Sequence, residues 1–306
     1  MSTSETAARP HSADYFGDTR DHWWNADFLA LMAQRWQLGA VHFALDVGAG
    51  VGHWGRLVLP HLAPQARMIG VDREATWIRE AHQRAERAGL ADRLSYRLGD
   101  ADHLPFHDGV FDLVTCQTVL IHMRDARVTL REMIRVLKPG GLVAVVEPSN
   151  LSNVMVLGST LFHAEPERIL DLVRLHVVCQ RGKEQLGEGH NSIGNLLPGW
   201  FAEAGLEGVA TYVGDKASPL VPPYVGPAQE ALRDEQVAFA ERGLYAWDLR
   251  DTRRFFLAGG GSEGDFDRLW SVAGRAAREV AEALRAGKEH TAGGAMQYLV
   301  SGRKAR

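Results

Sequence analysis

The 306-residue chain predicts an α/β protein built on a doubly wound, mostly parallel sheet. Three observations carry this prediction. Short apolar runs alternate with helix-patterned segments from Val41 to Val146. The first run ends at Asp46, and glycines follow at alternate positions, Gly48, Gly50 and Gly52. The last helical pattern is cut from the next apolar run by Lys138-Pro139-Gly140-Gly141. Alternation of this kind builds βαβ units, whose crossovers make strands parallel.

Taken in order, Val41–Leu45 reads as a buried strand, and Trp54, Leu57 and Leu59 resume an apolar pattern as a helix does. Met68–Val71 is a second strand, ending at Asp72. Trp77, Ile78, Ala81, Ala85 and Ala88 mark a helix face. Leu94–Leu98 alternates, as expected of a peripheral strand, and Val110–Cys116 is a fourth. Leu130, Met133, Ile134 and Leu137 fall at i, i+3, i+4 and i+7, so Asp125–Leu137 is a helix. Proline and glycine stop it, and Leu142–Val146 is a fifth strand. Beyond it, Asn150–Gly189 is helical, Pro198–Ala204 is a helix closed by Gly205, and Gly208–Val213 and Met296–Ser301 are two further strands. Ser218–Gly226 reads as an ordered loop. The stripe from Phe266 to Leu284 is a long helix, either core or a homodimer face, with core the safer reading.

Composition narrows the function. Hydrophobic residues make up 45% and charged residues 24%, enough for a sizeable core. A net charge of −4 with no basic stripe argues against a nucleic-acid partner. No signal peptide or membrane span is expected, and residues 1–12 read as a loose polar terminus. Cys116 and Cys179 are far apart and lack metal spacing, which fits a reduced, cytoplasmic setting.

The glycine turn between a strand and a helix suits a nucleotide-type ligand, because it lets backbone amides approach closely. A dinucleotide fingerprint requires glycine where this chain has His53. Asp46 would also lie beside a pyrophosphate, an unfavourable pairing of like charges. No Gly-Lys-Ser/Thr is present in the turn, which excludes a P-loop. A carboxylate beside this turn instead suits a cationic or zwitterionic ligand such as S-adenosylmethionine.

Four blocks in register resemble a class I S-adenosylmethionine-dependent methyltransferase, most closely its small-molecule branch of ubiquinone and menaquinone methyltransferases. They are Leu45-Asp46-Val47-Gly48-Ala49-Gly50-Val51-Gly52; Gly70-Val71-Asp72; Gly99-Asp100-Ala101 with Leu104-Pro105-Phe106 and Phe111-Asp112-Leu113-Val114; and Arg135-Val136-Leu137-Lys138-Pro139-Gly140-Gly141. The resemblance implies a seven-stranded, Rossmann-like methyltransferase fold with a helical N-terminal flap and a helical cap insertion. The expected layout is a flap at 1–38, a cofactor-binding core at 39–149, a helical cap at 150–195, and the rest of the core at 196–306 with a helical insertion at 218–290.

On matching positions, the resemblance implies that Gly48, Ala49 and Gly50 lie against the methionine and ribose parts of S-adenosylmethionine. Asp46 would orient the ammonium end. Asp72, next to Arg73, would accept from both ribose hydroxyls, and Asp100, with Ala101, would meet the adenine amino group. Gln117 would face the methionine portion. Taken singly, each acid also has a purely structural reading, as a cap or a turn former.

Ligands of open α/β sheets sit beyond the carboxyl ends of the strands, so the acceptor residues should follow the fourth and fifth strands. His122 is either a general base or a helix-start histidine that packs or caps. Glu147 ends a buried strand and must be partnered, by an acceptor amine or a structural arginine. Adjacent Trp23 and Trp24, after Tyr15-Phe16, read either as a flap that excludes water or as a hydrophobic helix docked to the core, the latter for at least one of them, with Trp23 assigned to the site. The Asn150–Gly226 region supplies Asn150, His163, His190, Asn191 and Tyr224 as acceptor-binding candidates. Three histidines, His122, His163 and His190, are weak as a metal site because no helical pair supports them. Arg174, Arg181 and Lys183 either bind an acceptor carboxylate or lie on a solvated helix face, and the solvated face is the expectation. The leading function is methyl transfer to a small metabolite or natural product. A non-catalytic S-adenosylmethionine-binding scaffold and an NAD-dependent oxidoreductase are the competing readings.

Overall fold

A computed structural model describes Arg20, residues 22–243 and residues 246–306. The expected Tyr15-Phe16 part of the flap and the loose terminus at 1–12 lie outside the described residues. The seven-stranded sheet comprises β1 (Phe43–Val47), β2 (Arg67–Asp72), β3 (Leu94–Leu98), β4 (Phe111–Gln117), β5 (Leu137–Pro148), β6 (Glu207–Val213) and β7 (Gln297–Arg303). Their order is β3-β2-β1-β4-β5-β7-β6. β1 to β5 pair in parallel, and β7 runs antiparallel between β5 and β6. The predicted doubly wound sheet is therefore borne out, with β3 on an edge as its alternation requires.

Eleven helices surround the sheet among the described residues. They are α1 (Ala26–Arg35), α2 (His53–Val58), α3 (Ala75–Arg87), α4 (Ala126–Arg135), α5 (Asn150–Asn153), α6 (Ser159–Phe162), α7 (Pro166–Gln185), α8 (Leu197–Glu203), α9 (Pro227–Glu241), α10 (Leu249–Ala258) and α11 (Glu263–Arg285). The sheet buries both faces, as parallel strands do. On β1, Ala44 packs with Trp54, Met68 and α1, while the alternate residues Leu45 and Val47 pack with Leu130, Met133 and Val145 on the other side. α4 starts because the Asp125 side chain accepts from Arg127 N, and it turns Ala126, Thr129, Leu130 and Met133 inward. Lys138–Gly141 does separate α4 from the next strand, but these residues are themselves drawn into β5. Gly140 N donates to Lys304 O, and Lys304 N donates to Gly141 O.

A further core forms where α7, α10 and α11 meet around Leu175, Phe255, Phe256 and Phe266. The expected stripe enters this core from Phe266 to Ala276, while Leu284 packs in a smaller cluster with Leu220 and Tyr224. Gly182 of α7 is required at the α7–α10 crossing, because a Cβ there would collide with Phe255 O. Lys183 corrects the expectation of a solvated face. It is 3% exposed, and its ammonium donates to Ile121 O (3.2 Å), Asn191 Oδ1 (2.8 Å) and Glu188 O (2.5 Å). It fastens the cap to the loop after β4. Burial lowers its pKa to about 8.

Candidate active site

A cavity of about 270 Å³ lies at the carboxyl ends of β1, β2 and β4. Its floor is the glycine turn. Gly48 has φ +63°, and a Cβ there would come within 2.6 Å of the Val119 side chain. Gly52 has φ +78°, and a Cβ there would strike the Tyr96 hydroxyl. Only glycine meets both demands at either position. Gly52→Ala should lower stability by about 2–4 kcal/mol, from the overpacking and the left-handed backbone together. Urea denaturation measures this, and a wild-type midpoint would refute it.

Two buried acids brace the turn. Asp72 Oδ2 accepts from Gly50 N (2.8 Å) and Oδ1 accepts from Glu74 N (2.9 Å). The carboxylate thus ties β2 to the glycine turn while keeping lone pairs for a ligand. Burial raises its pKa above the ordinary value, against the pull of those two amides. Asp46 Oδ2 accepts from Gly55 N (3.0 Å). Burial, reinforced by the nearby Asp72 charge, raises its pKa to about 8. A cation bound beside it would favour its ionised form.

The same cavity is lined by Ala49, Arg73, Asp100, Ala101 and Gln117. Asp100 is exposed, and its Oδ1 holds a turn by accepting from Asp102 N (2.9 Å). Gln117 is 7% exposed, and its Nε2 is buried with no hydrogen-bond partner among the described residues. A buried orphan donor is costly and points to a missing acceptor. Together these residues fit S-adenosylmethionine: a glycine cradle, an acid with spare lone pairs for ribose, a carboxylate for the ammonium, and a buried amide donor. All nine cofactor-site candidates meet in this cavity.

A second cavity, of about 360 Å³, adjoins it and shares Arg20, Thr118 and His122 with it. His122 is exposed and stands at the junction. Trp23, Asn150 and Asn191 line the second cavity, and Arg20 stacks over the Trp23 ring at 4.9 Å. Three other candidates lie elsewhere. His163 is exposed and lines neither cavity. His190 Nδ1 accepts from Ser192 N (3.1 Å). Tyr224 is buried in a small core with Leu220 and Leu284 and donates to Glu289 O (2.8 Å).

Glu147 is fully buried. Its Oε1 accepts from Val119 N (2.9 Å) and Leu120 N (2.8 Å), and Oε2 from Ile121 N (3.4 Å). Its partners are thus neither an arginine nor an amine but the backbone amides of the loop that carries Thr118 and His122, with the Cys116 thiol donating to Oε1 (3.8 Å). Burial raises its pKa to about 7.

Other residues at the junction were not legible in the sequence. Thr118 holds φ +54°, an outlier for a β-branched residue and a mark of local backbone strain. His176 lines the second cavity and stacks on Trp247. A hydrogen-bond chain fixes its ring. Leu151 N donates to Ser192 Oγ (2.8 Å), Ser192 Oγ to Gln180 Oε1 (2.7 Å), and Gln180 Nε2 to His176 Nε2 (2.6 Å). Nε2 is thus the acceptor and Nδ1 carries the proton. Burial lowers the His176 pKa to about 4, so the ring is neutral at pH 7. Among the described residues, no group of three or more His, Cys, Asp or Glu is placed to hold a metal ion. None of their helices is long and apolar enough to cross a membrane.

Residues 45–145 match a family described as "Methyltransferase domain". Over 114 residues the chain is 37% identical to the methyltransferase GfsG of Streptomyces halstedii, covering 37% of this chain and 40% of that protein. Residues 45–145 form a class I methyltransferase domain. A demethylmenaquinone methyltransferase of Lactiplantibacillus plantarum is 38% identical over 105 residues, covering 34% of this chain and 44% of its own. The matches thus span less than half the length of these relatives. The solved structure of the YcgJ protein from Bacillus subtilis has the same fold, with a TM-score of 0.50 and 19% identity, covering 92% of this chain and all of that one. The methyltransferase domain contains every cofactor-site candidate. The acceptor candidates Trp23, Asn150 and Asn191 lie outside it.

Proposed function

We propose that the chain transfers a methyl group from S-adenosylmethionine to a small organic acceptor. The junction between the two cavities carries this reading: one cavity fits the donor, and the other meets it at Arg20, Thr118 and His122. S-adenosylmethionine, when bound, supplies an electrophilic methyl on a sulfonium. The chain's own residues then have to align the acceptor and exclude water. Asp72 would hold the ribose, Asp46 and Gln117 the amino-acid end, and Asp100, Ala101 and Arg73 the adenosine side. Asn150 and Asn191 would orient the acceptor, and Trp23 would cover it. His122 is the candidate base for an acceptor that still carries a proton.

Calorimetric titration with S-adenosylmethionine, S-adenosylhomocysteine and NAD tests the donor. Both sulfur ligands should bind and NAD should not. NAD binding alone would move the reading to an oxidoreductase. Turnover with a panel of phenols, amines and thiols tests the chemistry, and binding without turnover across the panel would favour a scaffold. His122→Ala should cut kcat about 100-fold while S-adenosylhomocysteine affinity holds, the usual scale of general-base catalysis. Unchanged turnover would remove that role.

A further inference from the structure

A third cavity, of about 520 Å³, opens from the second and shares Trp23, Asn153, Val154, Ala295 and Gln297 with it. The three cavities therefore run in sequence from the glycine turn into the cap. Thr118, His122, Asn150 and Asn191 bring hydrogen-bonding side chains into the second cavity. The walls of the third include Val156, Leu161, Leu172, Leu232, Phe239 and Val280, drawn from α6, α7, α9, α11 and the segment before α6.

Charge is nearly absent from this third lining, and what is present is already engaged. Lys216 Nζ donates to Asn25 Oδ1 (2.9 Å). Glu289 Oε2 accepts from Ser159 Oγ and Thr160 N, both at 3.0 Å. Two lining polar atoms, Trp24 Nε1 and Gln297 Oε1, are buried with no hydrogen-bond partner among the described residues. Gln297 stands where the second and third cavities meet. Apolar space of this size is a poor home for water, and it falls within the roughly 300–1,000 Å³ of sites for drug-sized ligands.

We infer that the third cavity binds the apolar body of the acceptor. On this assignment the substrate is an uncharged, hydrocarbon-rich amphiphile. Its nucleophilic end lies in the second cavity, among Thr118, His122, Asn150 and Asn191, and Gln297 receives a hydrogen bond near the middle of the molecule. The link to methyl transfer rests on the function proposed above. The occupant follows from continuity, because the third cavity opens into the second, and the second meets the donor cavity at His122.

The test is a calorimetric titration of the full chain with phenol, 4-butylphenol and 4-octylphenol, with and without S-adenosylhomocysteine. Affinity should rise about two- to fourfold per added methylene, as burial of hydrocarbon predicts. Gln236→Trp on α9 and Ala277→Trp on α11 each put an indole into the cavity from a different helix. Either should weaken 4-octylphenol at least tenfold and leave both phenol and S-adenosylhomocysteine affinity unchanged. Affinity that is flat with chain length overturns the assignment, as does a full series in both folded variants. If S-adenosylhomocysteine fails to bind while the alkylphenol series persists, the methyl-transfer reading falls and the apolar site stands.

Discussion

Asp72→Ala should weaken S-adenosylhomocysteine at least 100-fold, the largest effect on ligand binding expected from any single side chain here. The carboxylate is 7% exposed and already orders two backbone amides, Gly50 N and Glu74 N. A ribose diol would add two hydrogen bonds to a charged acceptor, each worth about 1.5–3 kcal/mol. Losing both costs at least about 3 kcal/mol, or more than 100-fold. The freed Gly50 amide would also loosen the turn that forms the cavity floor. Asp72→Asn should fall in between. Its carbonyl can serve one amide, but its NH2 group faces the other as donor to donor. Titration with S-adenosylhomocysteine on the folded variants reads the effect directly. Affinity within a few-fold of wild type in Asp72→Ala would sink the ribose role. Because an acid in this place also serves dinucleotide folds, the comparison of sulfur ligands with NAD has to accompany it.

The sheet and the donor site were legible because their signals are local. β1, β2 and β4 hold short apolar runs, β3 alternates as an edge strand does, and the Gly48–Gly52 turn states its backbone needs in its spacing. The acids proposed to meet the ligand, Asp46 and Asp72, sit at or next to strand ends, where the fold itself puts them. What remained hidden depends on partners far away in the chain. Lys183 shares its helix with exposed arginines, and nothing nearby shows that its ammonium reaches Ile121 O and Asn191 Oδ1. The strained backbone of Thr118 comes from its place between β4 and the Glu147-anchored loop, not from its own propensity. His163 and Tyr224 were chosen for their chemistry in a cap whose packing no short pattern describes. The cap turns one of them outward and buries the other in a small core. His176 looked like any helix residue until Gln180, Ser192 and Leu151 aligned behind it.

Glu147→Ala should have the largest effect on stability, a loss of about 3–5 kcal/mol. The side chain is completely buried and satisfies three consecutive amides, Val119, Leu120 and Ile121. Removing it leaves a cavity and orphans buried donors, each costing about 1–3 kcal/mol. The same loop carries Thr118 and His122, so kcat should fall even in molecules that remain folded. Glu147→Gln separates charge from shape. Its carbonyl can keep Val119 and Leu120, while its NH2 group opposes Ile121 N, so stability should fall by less. The conservative variant also tests the titration. Burial raises the folded pKa to about 7 from an ordinary carboxyl value near 4.5. The folded state therefore holds a proton that the unfolded chain has released across that window. This stabilising contribution is complete below about pH 4.5 and is lost as pH rises through 7, at up to about 1.4 kcal/mol per pH unit. Glu147→Gln deletes one such titrating group, so its stability should fall less steeply than wild type between pH 5 and 7. Urea unfolding at half-unit pH steps measures both slopes. Parallel slopes would mean that Glu147 is already ionised in the folded protein at pH 5, with its three amides outweighing the cost of burial.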